Sequence, residues 1–315
     1  MGHDPAHRHR LQATDDGTIT DARAALGATL LSPSSTATSI GAFADGAVLA
    51  DRYRLVRFLA GGGMGEVYEA DDTLVAERVA LKILRPELSG KPHAKERFAD
   101  EIRLARKVTH PNVCRVFDVG VDGDRLFFTM ELHTGGTLAE RMKREPLDLG
   151  GARPLIKQLL AGVAAAHAAD VVHADLKPSN VLLAGRGGDR VVITDFGLAV
   201  PCCAELGCRC ASPHLVGTPA YMAPEQVAGG ESSERTDLFA VGVILFEMLT
   251  GSLPFRGATP LEMAEARLLS VPPAPSAVCS DVDATWDSVI LACLARDPAR
   301  RPRSAAALAA ELGLA

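Results

Sequence analysis

Asp175, Lys177 and Asn180 lie within a few residues of one another in His173-Ala174-Asp175-Leu176-Lys177-Pro178-Ser179-Asn180, and Asp195 opens Asp195-Phe196-Gly197 a short run later. A carboxylate, an ammonium, an amide and a second carboxylate at this spacing suit one demanding reaction. Phosphoryl transfer from ATP needs a carboxylate to orient the attacking hydroxyl, a cation near the transferred phosphate, and oxygen ligands for magnesium. Asp175, Lys177 and the pair Asn180 with Asp195 can supply these in that order. Mg2+ suits the last pair because it takes hard oxygen donors, with Mn2+ as the alternative ion. The apolar runs Val181-Leu182-Leu183 and Val191-Val192-Ile193-Thr194 read as short strands beside these groups.

The elements that must hold these groups are legible on both sides. Tyr53 to Leu59 alternates as a strand, and the glycine turn Gly61-Gly62-Gly63-Met64-Gly65 leads to a second strand through Val67 and Tyr68. Such a hairpin lets backbone amides approach phosphates with no side chain between. Val79-Ala80-Leu81-Lys82 is a further short strand, and 94–108 carries the apolar stripe Phe98, Ile102, Ala105 and Val108 of a helix. Strands over Val113–Val119 and Arg125–Met130 turn at Asp122-Gly123-Asp124. Beyond Gly135-Gly136 the pattern is helical: a stripe from Leu155 to His167, then apolar helices over 235–250, 261–269, 284–296 and 304–312. The architecture expected is α+β and bilobal. An N-terminal lobe of antiparallel sheet plus one helix spans about 51–132, and a larger, mostly helical lobe spans about 133–315.

The motifs together resemble those of the bacterial eukaryotic-like (Hanks-type) serine/threonine protein kinases, from about residue 53 to 313. The resemblance implies ATP and Mg2+ as cofactors and protein serine or threonine hydroxyls as acceptors. It makes Lys82 the lysine that grips the α- and β-phosphates and Glu101 its orienting partner. It places the nucleotide against Leu59, Ala60, Gly61, Gly62, Gly63, Met64, Gly65, Val67 and Ala80. Met130 guards the back of the adenine pocket, and Glu131 to His133, including His133, form a hinge that recognises adenine through its backbone. The loop glycines of the family fall at Ala60, Gly62 and Gly65, so the first is missing here. Gly217 to Glu225 resembles the substrate-docking loop ending in Ala-Pro-Glu, with Thr218 and Lys177 in the serine/threonine version. Glu225 is expected to pair with Arg301, and Asp237 and Gly242 to lie on the helix that anchors the catalytic loop. Ala174 replaces the arginine that binds an activation-loop phosphate in most of the family, and Leu198 to Val216 offers Ser212 as its only hydroxyl. The resemblance therefore implies a kinase that does not depend on loop phosphorylation. The alternative is a pseudokinase scaffold that binds nucleotide without turnover, against which intact Lys82, Asp175 and Asp195 argue, and the docking loop argues against a small-molecule phosphotransferase.

The totals exclude other classes. The chain has 315 residues, 23% charged residues and a formal net charge of −6, with no basic block for nucleic acid. It has no apolar run long enough to span a bilayer and no signal-peptide core, and Ala6 stands where N-myristoylation needs Ser or Thr, so a cytoplasmic protein is expected. Residues 1 to about 50 read as a flexible tail without periodicity, in which His3, His7 and His9 read as solvated rather than metal-bound. Of seven cysteines, Cys202, Cys203, Cys208 and Cys210 cluster as C-C-x4-C-x-C just after Asp195-Phe196-Gly197. They suit free thiols on a mobile loop, a reversible disulfide, or a structural Zn2+ site of four thiolates.

Overall fold

The computed structural model describes residues 43–62, 65–85, 102–103, 105–144, 147–185, 187–196 and 219–315. Strands β1 (Val48–Leu49), β2 (Tyr53–Gly61), β3 (Gly65–Asp72), β4 (Glu77–Leu84), β5 (Val116–Asp122) and β6 (Arg125–Met130) form one antiparallel sheet in the order β1-β2-β3-β4-β6-β5. β4 lies between β3 and β6, and Val79, Ala80, Leu81, Lys82 and Ile83 are all buried on it. Gly65 is needed where β3 passes β4: a Cβ there would sit 2.1 Å from the Ile83 carbonyl oxygen. Of the helix expected over 94–108, the described Ile102, Arg103 and Ala105 are helical.

Two boundaries differ from those read in the sequence. The stretch up to residue 50 reads as tail, yet Val48 and Leu49 form β1, which pairs with β2 through Leu49 and Tyr53. The turn between them uses Ala50 (φ 50°) and Asp51 (φ 52°), both left-handed and neither glycine, so it carries no hairpin signature. Residues 113–115 are not in β5, because the chain at 112–114 bonds to β8 instead. Ile193 N donates to Asn112 O at 2.9 Å and Cys114 N to Ile193 O at 2.8 Å, and β5 begins only at Val116.

The second lobe contains α1 (Leu138–Arg144), α2 (Leu149–His167), the hairpin β7 (Val181–Ala184) and β8 (Arg190–Ile193), then α3 (Pro224–Val227), α4 (Glu234–Thr250), α5 (Pro260–Leu269), α6 (Ala284–Cys293) and α7 (Ala305–Glu311). α4 starts where the Ser233 hydroxyl accepts from Arg235 N and stops at left-handed Gly251. Thirteen of its 17 residues are buried, so it is enclosed on all sides and forms the centre of the lobe. Gly242 lets α6 approach: a Cβ there would lie 2.6 Å from Cys293 Cβ. Gly242 and Asp237 lie on the one helix, as expected, with Asp237 in its first turn. α6 ends at Cys293 rather than Arg296, ahead of the 3-10 turn Pro298–Arg300. No described helix is long and apolar enough to cross a membrane.

Candidate active site

The catalytic stretch lies between α2 and β7, and α4 holds it from below. The Asp237 carboxylate accepts from His173 N (2.8 Å) and Ala174 N (2.8 Å), and it meets His167 Nε2 at 2.8 Å. The His173 ring is buried, with Nε2 2.9 Å from Thr194 O and its centre 4.7 Å from the Phe196 ring centre. The catalytic loop and the Asp195-Phe196 turn are therefore fixed to one another as well as to the core. Ala174 and Asp195 are both left-handed, at φ 62° and 63°, an uncommon conformation for non-glycine residues that these bonds sustain.

On this frame the groups singled out in the sequence converge. Lys82 Nζ donates to Asp195 Oδ1 at 2.7 Å, joining β4 to the turn after β8. Lys177 Nζ donates to Asp175 Oδ2 at 2.7 Å. Asn180 Nδ2 donates to Asp175 O at 2.9 Å, which leaves its amide oxygen as an acceptor. Two carboxylates, two ammonium groups and an amide oxygen thus stand together, each held by a neighbour. A set of hard oxygens, Asp195 and Asn180, fits a Mg2+ ion carrying nucleotide phosphates.

The residues expected to face nucleotide lie largely on the sheet. Leu59, Ala60 and Gly61 are on β2, Gly65 and Val67 on β3, Ala80 on β4, and Met130 ends β6. Ala60 is exposed and pairs with Val67 without obstruction, so a methyl group is tolerated at the position of the missing glycine. Met130 is buried against Ala80 and receives the Thr194 hydroxyl at its sulfur, 3.7 Å away. Cys114 beside it is a buried thiol pushed up to about 12 by desolvation, which makes it unreactive. Glu131 and His133 follow in the hinge, and both side chains line a cavity discussed below. Glu101, Gly63 and Met64, the docking-loop residues Gly217 and Thr218, Ser212, and the cysteines Cys202, Cys203, Cys208 and Cys210 lie outside the described residues. Among the described residues, no group of three or more His, Cys, Asp or Glu side chains forms a metal cluster.

Beyond the cleft, Arg301 meets Glu225 in two bonds of 2.7 Å, as the sequence leads one to expect. Burial opposes the charged form of Glu225, but the Arg301 guanidinium outweighs it and holds the carboxyl below the ordinary range. Tyr221 donates to Glu247 Oε2 at 2.5 Å, and burial raises both groups above their usual values. Gln226 is a positioning group that sequence reasoning missed. Its Nε2 donates to Ala174 O at 2.7 Å, clamping the catalytic loop from α3. Nothing in its local context signals a contact 52 residues away.

A family model described as "Protein kinase domain" matches residues 53–312. The chain is 34% identical over 276 residues to the probable serine/threonine-protein kinase CE0033 of Corynebacterium efficiens, covering 85% of this chain and 42% of that protein. It is 36% identical over 281 residues to serine/threonine-protein kinase pkn3 of Myxococcus xanthus, covering 85% and 50%. Against serine/threonine-protein kinase PknL of Mycobacterium tuberculosis it is 36% identical over 269 residues, covering 85% and 66%. The chain thus spans from under half to about two thirds of the length of these relatives. The crystal structure of the Mycobacterium tuberculosis PknI kinase domain superposes with a TM-score of 0.68 at 27% identity, covering 87% of this chain and all of that one.

Proposed function

Because the chain belongs to the protein kinase family, we propose that it transfers the γ-phosphoryl group of ATP to serine and threonine hydroxyls of proteins, in bacterial signalling. The observation that carries this reading is the bond from Lys82 to Asp195, 113 residues apart, beside a loop on which Lys177 and Asn180 both bond Asp175. Bound Mg2+ supplies charge neutralisation for the phosphates. Asp195 and the Asn180 amide oxygen would hold it, and Lys82 would turn from Asp195 to the α- and β-phosphates. Asp175 orients the acceptor hydroxyl and takes its proton, while Lys177 faces the charge that develops on the transferred group. Mn2+ can take the same oxygen ligands. ATP is available in the cytoplasm, and there we place the domain. Incubation with labelled ATP, Mg2+ and a generic protein substrate tests the reading: wild type labels serine and threonine, and Asp195→Ala does not. No residue in the described site favours a scaffold without turnover.

The kinase acts without activation-loop phosphorylation in this reading. Ala174 offers no cation, and its backbone is already held on both sides by Asp237 and Gln226. A loop phosphate would thus lack its usual charge-assisted partner. Phosphatase-treated protein and Ser212→Ala should both phosphorylate an added substrate at the untreated wild-type rate from the first time points. A lag that preincubation with ATP removes in wild type, but not in Ser212→Ala, would overturn this. Metal analysis with thiol titration separates the three uses the sequence leaves for Cys202, Cys203, Cys208 and Cys210. Zinc near one per chain would mark a structural metal site.

A further inference from the structure

Behind the hinge lies a cavity of about 680 Å³ that none of Lys82, Asp175, Lys177, Asn180 or Asp195 lines. It opens on the other face of β7 from the nucleotide cleft. Leu183 lines it, while Leu182, which alternates along the strand, does not. Its volume falls in the range of small-molecule sites, about 300–1,000 Å³. Its walls are charged. Arg141 and Arg144 stand one turn apart on α1, and Arg190 enters from β8. Arg144 has no ion-pair partner among the described residues. The acidic groups present are already engaged: Glu140 accepts from Thr137 N at 3.0 Å, and Glu131 from Arg190 at 3.2 Å. His133 adds an unmet polar atom. Its side chain is 4% exposed, and Nε2 has no hydrogen-bond partner, standing 3.7 Å from Glu131 Oε2, beyond hydrogen-bond reach. Gly185, Gly187 and Gly188 also line the cavity.

We propose that this cavity is a regulatory site for a small polyanion, a phosphorylated or polycarboxylate metabolite, which binds Arg144, Arg190 and His133 and weakens nucleotide binding through the hinge. Guanidinium groups from two elements give a phosphate or carboxylate paired, charge-assisted donors. The coupling runs through the Arg190–Glu131 bond, which braces the first hinge residue against β8. An anion that draws Arg190 away releases that brace, on the segment whose backbone recognises adenine in the kinase reading on which this inference rests. Coupling of this kind is reciprocal, so bound nucleotide must weaken the anion by the same factor.

Calorimetry with citrate and with a hexose bisphosphate, at matched ionic strength, tests the proposal on the whole chain. At least one probe should bind wild type in the micromolar to low millimolar range and weaken MgADP by about fivefold or more. Arg144→Glu lies at an exposed helix end outside the phosphoryl-transfer set. It should weaken the probe at least about tenfold while leaving MgADP affinity without probe unchanged. Arg190→Ala should itself weaken MgADP. The proposal fails if neither probe binds wild type, if Arg144→Glu binds equally well, or if a bound probe leaves MgADP affinity unmoved. It also fails if an oligoglutamate peptide binds where neither small anion does, since the surface is then a peptide groove. These readouts need no phosphoryl transfer. A chain that binds probe and MgADP but labels no protein counts against the kinase reading alone.

Discussion

Asp175→Asn should lower turnover by about 10²–10⁴-fold while MgADP affinity stays within about twofold of wild type. The amide keeps the shape of the carboxylate, so the fold of the loop is preserved. Backbone bonds from His173 and Ala174 to Asp237 do not involve this side chain, and Asn180 Nδ2 reaches the backbone carbonyl of residue 175. What is lost is the charge that accepts the hydroxyl proton and holds Lys177 at 2.7 Å. In the proposed reading the nucleotide is held by Lys82 and Asp195 rather than by Asp175, which is why binding and turnover should separate. The pair of measurements is kcat by a coupled assay and MgADP affinity by calorimetry. Wild-type turnover in the variant would remove Asp175 from the role given to it, and a parallel loss of nucleotide affinity would mean that the loop had collapsed.

Arg301→Ala should destabilise the protein by about 3–5 kcal/mol, because it strips one partner from a buried ion pair. The Arg301 side chain is fully enclosed. Besides both Glu225 oxygens, it bonds the carbonyls of Ala295, Arg235 and Arg296, and it lies 5.0 Å from the Phe239 ring centre. Truncation leaves a half-buried carboxylate and several carbonyls without donors. Glu225→Gln retains the shape and should cost less. Its comparison with wild type gives the pH dependence. The folded-state Glu225 carboxyl titrates below its ordinary value of 4.5, so the ion pair's contribution is fully present above that value. It is lost as pH falls through the lower folded-state value, where wild type and Glu225→Gln should converge. Urea denaturation at neutral pH and at pH below 4.5 measures both effects. An Arg301→Ala variant as stable as wild type would show that the pair is dispensable.

Much of the candidate site was legible because its groups sit at short fixed spacings: Asp175, Lys177 and Asn180 on one loop, Asp195 after a two-strand hairpin. Short-range spacing survives folding, and the resemblance to kinases followed from it. What stayed hidden depends on contacts between distant segments. β1 escaped notice because its turn uses left-handed Ala50 and Asp51 instead of glycine. Val113 and Cys114 looked like the start of a strand because they are apolar, but Cys114 N donates to Ile193 of β8. Gln226 and the cavity behind the hinge could not be read at all, since Ala174, Arg190 and Glu131 come from parts of the chain with no common period. Gly242 was assigned to the right helix, but its approach to Cys293 could not be read, because a helical glycine in a sequence marks a close approach without naming what approaches.

The single carboxylate of Asp237 has a consequence for motion. It stands in the first turn of α4, whose interior is closed on every side, and it receives the amide protons of His173 and Ala174. Those two protons can exchange with solvent only when the bond to Asp237 opens, and Asp237 cannot leave without disturbing the most enclosed helix of the lobe. Amides of a connecting loop ordinarily exchange through cheap local fluctuations. Here the two should be protected nearly as long as the amides of Val241 to Leu245, with deuterium uptake following the global unfolding free energy as denaturant is added. Rapid uptake at His173 and Ala174 beside slow uptake in α4 would show that the loop opens alone. Otherwise the catalytic loop belongs, in its dynamics, to the core rather than to the surface.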